Sequence, residues 1–439
     1  MTAIHRVWPA LLLGFPGALV AQDTLRPPDG VRVGIEYRPG VRPSILVLPG
    51  RGLDSVRAIL ARDLDYSDRF QVIVLGPGDS GTAGTNTGAH TVNYGLFRTL
   101  GAEYAVEAAP DGPGTVLRLH DITAGVVRRE QRYTFPAPFD VGFRLAVHRA
   151  ADELVRWITG TPGYAASQLL FVVGRQLYRV DSDGTAATAL SATGEQILSP
   201  AWSPDGRRIA YMRFGAGAGS LLVQQLSTGQ RLTVAGTGTA LNITPAFSPD
   251  GRLLAYARST EDGTDVYTAD VIQNCCVQRL TVGRYADNLS PTFAPDGRRL
   301  AFVSTRAGQP QIYVMAADGT DQELFAPFDF GTTGSSNAPE WSPDGAGVVF
   351  HRDVNRSPQV FVLDVASRRV RQLTSAGRNE DPTWAPDGRH IAFVSDRSGQ
   401  RQLWVIDMTT GRIRQLTFTG QVRLPAWSRR LTDPTTGPN

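Results

Sequence analysis

A possible serine nucleophile lies in the segment Gly78-Asp-Ser-Gly81, which matches the residues around the catalytic serine of trypsin-like proteases. That mechanism needs a histidine and an aspartate upstream of the serine, and the only earlier histidine is His5. The surrounding residues 76–88 are rich in glycine, serine and threonine, which is typical of a flexible loop. The chain also lacks a Gly-x-Ser-x-Gly elbow, so the sequence offers no serine hydrolase site.

Other residues with chemical potential are scattered or have a structural explanation. The glycine-rich run 215–220 is followed by a strand pattern, so it lacks the helix N-terminus of a phosphate site and is predicted to be a hairpin loop. Five Pro-Asp-Gly aspartates could form a carboxylate ring for calcium or catalysis, but their shared position predicts turn formation. The later histidines show no metal-ligand spacing and are expected on the surface or in packing: His90, His120, His148, His351 and His390. No metal, cofactor or catalytic residue is predicted.

The Pro-Asp-Gly triplets belong to a longer repeat that sets the architecture. Its first copy is Pro200-Ala-Trp-Ser-Pro-Asp-Gly206. The triplet prolines stand at positions 204, 249, 295, 343 and 386, so the steps are 45, 46, 48 and 43 residues, which is the period of β-propeller blades. A sixth copy, Pro425-Ala-Trp-Ser428, never reaches its Pro-Asp-Gly. The repeat therefore occurs in six phases.

Each copy predicts four short antiparallel strands, and no helical period interrupts the series. The incomplete last copy supplies only a first strand, whereas residues 168–173, 176–181 and 186–190 supply three strands that lack one. We therefore predict a mainly β fold with a six-bladed β-propeller over residues 164–430, in which the C-terminal strand pairs with the N-terminal strands. Residues 431–439 are expected to form a tail.

Composition and charge exclude some functions. The chain has 439 residues, a net charge of +3 and 41% hydrophobic residues, so it is long enough for two domains with separate cores. All its basic side chains are arginines apart from histidine, an absence of lysine that we attribute to base composition of the genome. Such a small charge, without a basic helix or a zinc spacing, gives no basis for nucleic-acid binding.

The N-terminal residues are those of an exported protein. His5 and Arg6 precede an apolar stretch, residues 7–20, that is too short to span a bilayer and fits a signal peptide cleaved near Ala21. Residues 22–30 are expected to form a flexible segment. The adjacent Cys275 and Cys276 are interpreted as two small residues of a blade strand, with a vicinal disulfide as the alternative in an oxidising compartment.

Residues 31–160 show a different pattern and predict a small α/β domain. Strands are expected at 31–36, 44–48, 71–75, 102–108, 115–122 and 126–135. Helices are expected behind a cap at Asp54, near 92–100 and over 139–158. The breaker Gly160-Thr-Pro-Gly163 marks the boundary to the propeller.

Taken together, the chain resembles the TolB family, the periplasmic propeller component of the Tol-Pal envelope system. The resemblance rests on the order of signal peptide, α/β domain opening with Val31-Arg-Val-Gly-Ile35 and six blade phases, and on the ending Gly420-Gln-Val-Arg-Leu-Pro-Ala-Trp-Ser428. It implies a monomeric, non-enzymatic periplasmic adaptor that supports outer-membrane integrity and cell division. The implied partners are a Pal-like lipoprotein at the propeller mouth and a TolA-like protein at the N-terminal segment, with peripheral envelope association only.

The resemblance also implies particular contact residues. The TolA-like protein would bind Gln22, Asp23, Thr24, Leu25 and Arg26, although an unstructured tail without a partner is the alternative. In the second blade loop, where some relatives have a histidine, this chain has Leu241 and Asn242. The loops before the inner strands would bind the Pal-like lipoprotein, and ordinary polar loops without a partner are the alternative. The residues concerned are Asn242, Thr244, Asn288, Ser290, Ser336, Asn337, Asn379, Glu380, Asp381 and Arg423.

Two other functions stay open at this stage. One is a periplasmic propeller hydrolase or lactonase with its substrate in the channel, which would need inward-facing histidine or carboxylate clusters. The other is a TolB-like propeller recruited to another ligand, such as cell-wall material.

Overall fold

A mixed sheet with helices forms the N-terminal part of the described chain. The computed structural model describes residues 42–50, 52–75, 92–215, 219–234, 240–283, 285–328 and 334–432, which belong to one compact unit. Several predicted segments lie outside these ranges: the signal peptide, the flexible segment 22–30, the strand 31–36 and nearly all of the tail 431–439. In chain order the elements are β1 (Ser44–Val47), α1 (Asp54–Tyr66), β2 (Gln71–Val74), α2 (Tyr94–Thr99), β3 (Tyr104–Asp111), β4 (Gly114–Asp121), β5 (Val126–Tyr133) and α3 (Phe143–Thr159).

These elements, Ser44–Thr159, are called the α/β portion below. The strand order is β2-β1-β3-β4-β5, with β1 parallel to β2 and β3 and antiparallel pairs elsewhere. The helix behind Asp54 is confirmed, but the cap prediction is wrong: Leu53 is the N-cap and has no side-chain capping bond. Helix α3 begins at Phe143 instead of residue 139, because Asp140 forms a turn with Ala137 and Gly142 adopts a left-handed conformation.

The rest of the described chain consists of short strands, as the repeat predicts. In chain order they are β6 (Gln168–Val173), β7 (Gln176–Asp181), β8 (Thr188–Ala189), β9 (Gln196–Trp202), β10 (Arg208–Phe214), β11 (Gly219–Gln225), β12 (Arg231–Thr233), β13 (Asn242–Phe247), β14 (Leu253–Thr260), β15 (Gly263–Asp270), β16 (Cys275–Arg279), β17 (Asn288–Phe293), β18 (Arg299–Ser304), β19 (Gln311–Ala316), β20 (Glu323–Leu324), β21 (Ser336–Trp341), β22 (Gly347–Val354), β23 (Ser357–Asp364), β24 (Val370–Gln372), β25 (Asn379–Trp384), β26 (His390–Ser395), β27 (Gln402–Asp407), β28 (Ile413–Gln415) and β29 (Val422–Trp427).

Six four-stranded antiparallel sheets form the blades of the propeller. Blade 1 has the order β29-β6-β7-β8, and blades 2 to 6 follow in chain order as β9–β12, β13–β16, β17–β20, β21–β24 and β25–β28. The pairing of β29 with β6 runs from Val422 opposite Val173 to Trp427 opposite Leu169. The predicted ring closure is therefore confirmed. The hairpin predicted at 215–220 is also confirmed, since Phe214 pairs with Gly219.

The Pro-Asp-Gly aspartates make turns, as predicted. In each of the five triplets the aspartate Oδ1 accepts a hydrogen bond from the amide two residues on, for example from Arg207 to Asp205 at 3.0 Å. Each triplet directly follows the inner strand of its blade and leads into the second strand. These turns therefore all lie at the end of the channel where the inner strands finish.

Apolar side chains pack between neighbouring blades. One cluster joins Leu221 and Val223 of blade 2 to Phe247, Leu254 and Tyr256 of blade 3, and all five are buried. Comparable clusters lie between other pairs of blades. This packing explains why single repeats must stack around a ring. Among the described helices, none has the length and apolar character needed to cross a membrane.

Candidate functional site: the propeller channel and its mouth

The inner strands surround a central cavity of about 310 Å³. In every blade the residue before the proline that begins the repeat has a positive φ between 49° and 53°. The inner strand shifts register at this point. Such a bulge bends the strand, so that it follows the channel wall. The residues in this conformation are Ser199, Thr244, Ser290, Ala338, Asp381 and Leu424.

Most of the channel wall is uncharged, but two carboxyl groups line it on blades 5 and 6, and Arg429 lines it after β29. Glu340 accepts a hydrogen bond from the Trp384 amide at 3.2 Å, and burial raises the pKa of its carboxyl to about 7. Burial also raises the pKa of Asp381, although His351 opposes this, and the Asp381 amide donates to His351 Nδ1 at 3.2 Å. The channel therefore has an acidic side whose charge depends on pH.

Four predicted contact residues are fully buried at the start of the inner strands: Asn242, Asn288, Ser336 and Asn379. The Asn379 amide donates to Gln359 Oε1 at 2.7 Å, and Arg352 donates to Ser336 Oγ at 2.9 Å. These side chains fix the loops from inside. In the chain as described, these four side chains contact the protein itself, and their contact with a partner stays a prediction.

The other six predicted residues lie at or just inside the mouth, which is the end of the channel where the inner strands begin. Thr244 and Ser290 line the channel and are linked by a hydrogen bond of 3.1 Å from the Ser290 amide. Glu380 forms ion pairs with Arg378 at 3.0 Å and Arg401 at 3.4 Å. Of the remaining three, Asn337 and Asp381 are half-buried and Arg423 is exposed.

Exposed apolar side chains around the mouth were missed by the sequence reasoning. Val282 and Tyr285 are 76% and 90% exposed in the loop between blades 3 and 4, and Phe418 is 73% exposed in the loop before β29. Leu241, just before β13, and Phe214, at the end of β10, add to them. The available signal was an apolar residue in a polar connection between an outer and an inner strand. Apolar side chains are also exposed elsewhere, for example Val141 at 81% and Ile272 at 63%, so those at the mouth are candidate contacts that need a binding test.

Buried charged clusters at the opposite end of the channel were also missed. His148 Nδ1 lies 2.7 Å from Asp63 Oδ2, although the two are 85 residues apart in sequence, and Asp183 completes a group of possible metal ligands. His390 forms a second group with Asp68 and Asp407. Arginines pair with Asp183, Asp68 and Asp407, so these carboxylates already have cationic partners.

Both of these histidines are charged at neutral pH. Burial alone would lower the pKa of His148, but Asp63, Asp181 and Asp183 outweigh it and raise the pKa to about 10. Burial likewise opposes the charge of His390, whereas Asp387 and Asp68 raise its pKa to about 9. The clusters are therefore networks of ion pairs.

The cysteines lie where the sequence placed them, at the beginning of β16, the outer strand of blade 3. Cys275 and Cys276 are joined by a vicinal disulfide, which was the alternative. Cys276 has a φ of 61°, so the bonded pair departs from regular strand geometry. The predicted segments Gly78–Gly81 and Gln22–Arg26 lie outside the described residues.

Comparison with known proteins gives a consistent result. The model of the TolB beta propeller domain matches residues 155–327 and 330–432. Tol-Pal system protein TolB from Methylococcus capsulatus is 33% identical over 42% of this chain and 44% of its own length. The Haemophilus influenzae protein of the same name is 31% identical over 47% of this chain and 51% of its own length. The matches thus span about half the length of these curated relatives.

The fold has a solved counterpart. A crystal structure of TolB from Acinetobacter baumannii superposes with a TM-score of 0.75 over 89% of this chain and 98% of that chain. The sequence identity is 24%, so this likeness establishes a shared fold.

Proposed function

Because this chain belongs to the TolB β-propeller family, we propose that it is a non-enzymatic periplasmic component of a Tol-Pal system that binds a Pal-like lipoprotein at the propeller mouth. The names of its relatives support the system, and the surface of the mouth supports the binding site. In this proposal the protein contributes to outer-membrane integrity and cell division by linking envelope proteins.

The exposed apolar side chains at the mouth carry the proposal. Tyr285 and Val282 extend from the connection between blades 3 and 4, and Phe418 extends from the connection between blades 6 and 1, across the ring. Aromatic and apolar groups of this kind supply most of the binding energy when a partner covers them. Polar residues such as Glu380 and Arg423 would then form the rim of the interface, where they set orientation and specificity.

The closed ring favours tight binding of a folded partner. Mouth loops are held from inside by the buried Asn379 and Ser336, and the inner strands pack tightly against neighbouring blades. A surface that is already ordered loses little conformational entropy on association. The mouth therefore suits a folded domain better than a segment that would need the loops to reorganise.

The proposal extends to the N-terminal segment on the basis of sequence. Gln22, Asp23, Thr24, Leu25 and Arg26 would bind a TolA-like protein, because a short segment with one apolar residue among polar ones suits coupled folding and binding. A variant that begins at residue 31 should lose this partner and keep the Pal-like one. Loss of both partners would contradict the separation of the two sites.

The test of the mouth uses calorimetry with the periplasmic domain of the Pal-like lipoprotein of the same organism. Tyr285→Ala should weaken binding by roughly thirtyfold, which corresponds to about 2 kcal/mol for an aromatic hot spot. Ile272→Ala is the matched control, because Ile272 is 63% exposed on the same blade but lies in the turn at the opposite end of the channel. Equal affinities of the two variants would reject the mouth as the binding surface.

Polar rim residues allow a second test in the same assay. Replacing Glu380 and Asp381 by alanine should weaken binding less than Tyr285→Ala does, since Glu380 is already paired with Arg378 and Arg401 and Asp381 lies inside the channel. The blades should stay folded, as circular dichroism would check. Unchanged affinity in the double variant would remove this loop from the proposed interface.

A further inference from the structure

At one place in the propeller, a blade is assembled from two ends of the chain by strand pairing and side-chain packing. Blades are joined to their neighbours by continuous chain, but blade 1 combines the two ends of the propeller sequence. Its inner strand β29 is held to β6 by the pairs from Val422–Val173 to Trp427–Leu169, with an irregularity between Arg423 and Ala426. This β29–β6 pair is called the ring joint below. Opening the ring would require this joint to separate.

On one side of the ring joint, blade 6 is bound by the end of helix α1. Asp68 follows that helix, is fully buried and accepts hydrogen bonds from Arg412 at 3.0 Å and Arg414 at 2.9 Å. His390 Nε2 lies 3.2 Å from the same carboxylate, and Arg412 also pairs with Asp65 at 3.0 Å. The three partners all belong to blade 6 or its turns.

On the other side of the joint, helices α1 and α3 bind the end of strand β7 in blade 1. Arg144 of α3 donates to Asp181 at 2.8 Å and to Asp183 at 2.7 Å, and Arg62 of α1 donates to Asp183 at 3.0 Å. The buried pair of His148 and Asp63 ties α3 to α1. The α/β portion therefore contacts both halves of the chain that meet at the joint.

Residues directly after β29 are held in the same place. Leu431 packs with Leu145 of α3 and with Ala166, and its amide donates to the Ala166 carbonyl at 2.7 Å. Arg430 donates to the Gly163 carbonyl at 2.7 Å. The end of the C-terminal strand is thus fixed to α3 and to the connection between α3 and β6.

We infer that the α/β portion is a second fastening of the ring, which bridges the ring joint from outside and keeps β29 paired with β6. Separating the joint while the α/β portion stays bound would break desolvated ion pairs on one side or the other. Buried charges that lose a partner are strongly unfavourable. Docking of the α/β portion and closure of the propeller are therefore coupled, which goes beyond any role of the mouth in binding partners.

The test measures hydrogen exchange of the full chain in peptides that cover β6 and β29. Arg412→Gln should make their amides exchange about tenfold faster, which corresponds to about 1.4 kcal/mol for a lost charge-assisted hydrogen bond. Arg279→Gln is the matched control: Arg279 has the same 36% side-chain exposure and pairs with buried Asp265, but it lies on blade 3. This control should accelerate exchange only within blade 3.

Two results would overturn the inference. In the first, Arg412→Gln accelerates exchange in the α/β portion while β6 and β29 stay as protected as in the unmodified chain. The second comes from combining Asp68→Asn with Arg144→Gln, which attack the two sides of the joint separately. A single bridge is already released when one side is lost, so we expect the double variant to exchange in β6 and β29 little faster than the stronger single variant. If instead the increases in exchange rate of the two single variants multiply in the double variant, the two contacts are independent supports and do not form a bridge.

Discussion

The two ends of the propeller channel use their side chains in opposite ways. At the end that faces the α/β portion, the charged groups of Asp68 and His390 are completely buried and paired across the contact. At the mouth, the buried Asp265 pairs with Arg279 of the same blade, and Val282 and Tyr285 expose most of their apolar surface. The first arrangement is costly to separate once formed, and the second gains free energy when a partner covers it. One end is therefore built for a permanent intramolecular contact and the other for reversible binding.

The strongest way to break this comparison is to remove the strand that connects both ends. Deleting residues 421–439 eliminates β29 with its buried Val422 and Trp427. Loss of a buried tryptophan alone costs about 3–5 kcal/mol and the loss of Val422 adds to it, so the melting temperature should fall by at least about 5 °C. Calorimetry would measure this, with deletion of residues 433–439 as the control. Equal melting temperatures of the two deletions would show that β29 contributes little to the ring.

A smaller effect is expected from the charged end, and it depends on pH. The raised pKa of His148 means that its stabilising contribution is fully present below pH 6.5 and is lost as the pH rises towards 10. His148→Gln should therefore lower the melting temperature at pH 6 by roughly 4 °C, since breaking a buried pair costs about 3–5 kcal/mol. The difference from the unmodified chain should shrink steadily up to pH 10. A difference that stays constant over this range would mean that no imidazolium is involved.

The smallest effect concerns the acidic side of the channel, where a substitution should raise the melting temperature instead of lowering it. Because the pKa of Glu340 is raised to about 7, the protonated form favours the folded state below pH 4.5, and this contribution is lost as the pH rises through 7. Glu340→Gln should then melt about 2–4 °C higher than the unmodified chain at pH 8. At pH 4 the two should melt at the same temperature. Glu323→Gln on the outer strand of blade 4 is the exposed control. A gain at pH 4 as large as that at pH 8 would contradict this assignment.

The repeat was readable from sequence because blade geometry is local. Every Pro-Asp-Gly aspartate bonds an amide two residues away, so the turn and the strand pair around it follow from a few adjacent residues. Even the ring closure could be predicted, since an unpaired first strand at one end and a missing one at the other leave one arrangement without open edges. The vicinal disulfide was anticipated only as an alternative, because a pair of adjacent cysteines is compatible with either oxidation state.

Contacts between distant parts of the chain were not readable in the same way. Four of the predicted contact residues are buried at the first positions of inner strands, which was not expected, since a sequence pattern locates a strand but not the burial of each side chain at its end. His148 and His390 looked isolated, yet folding brings them to Asp63 and Asp68. Their partners are 85 and 322 residues away in the chain, and no local spacing connects such residues.

The sequence by itself therefore determined the number of blades, the turns that separate their strands and the two ends that must meet, because these depend on short-range turn chemistry and hydrophobic patterning. Only the tertiary structure decided which residues of the mouth are exposed and which charges are buried where the α/β portion meets blades 1 and 6. Exposure and ion pairing depend on the packing of whole elements against each other, and that packing is set by contacts far apart in the sequence.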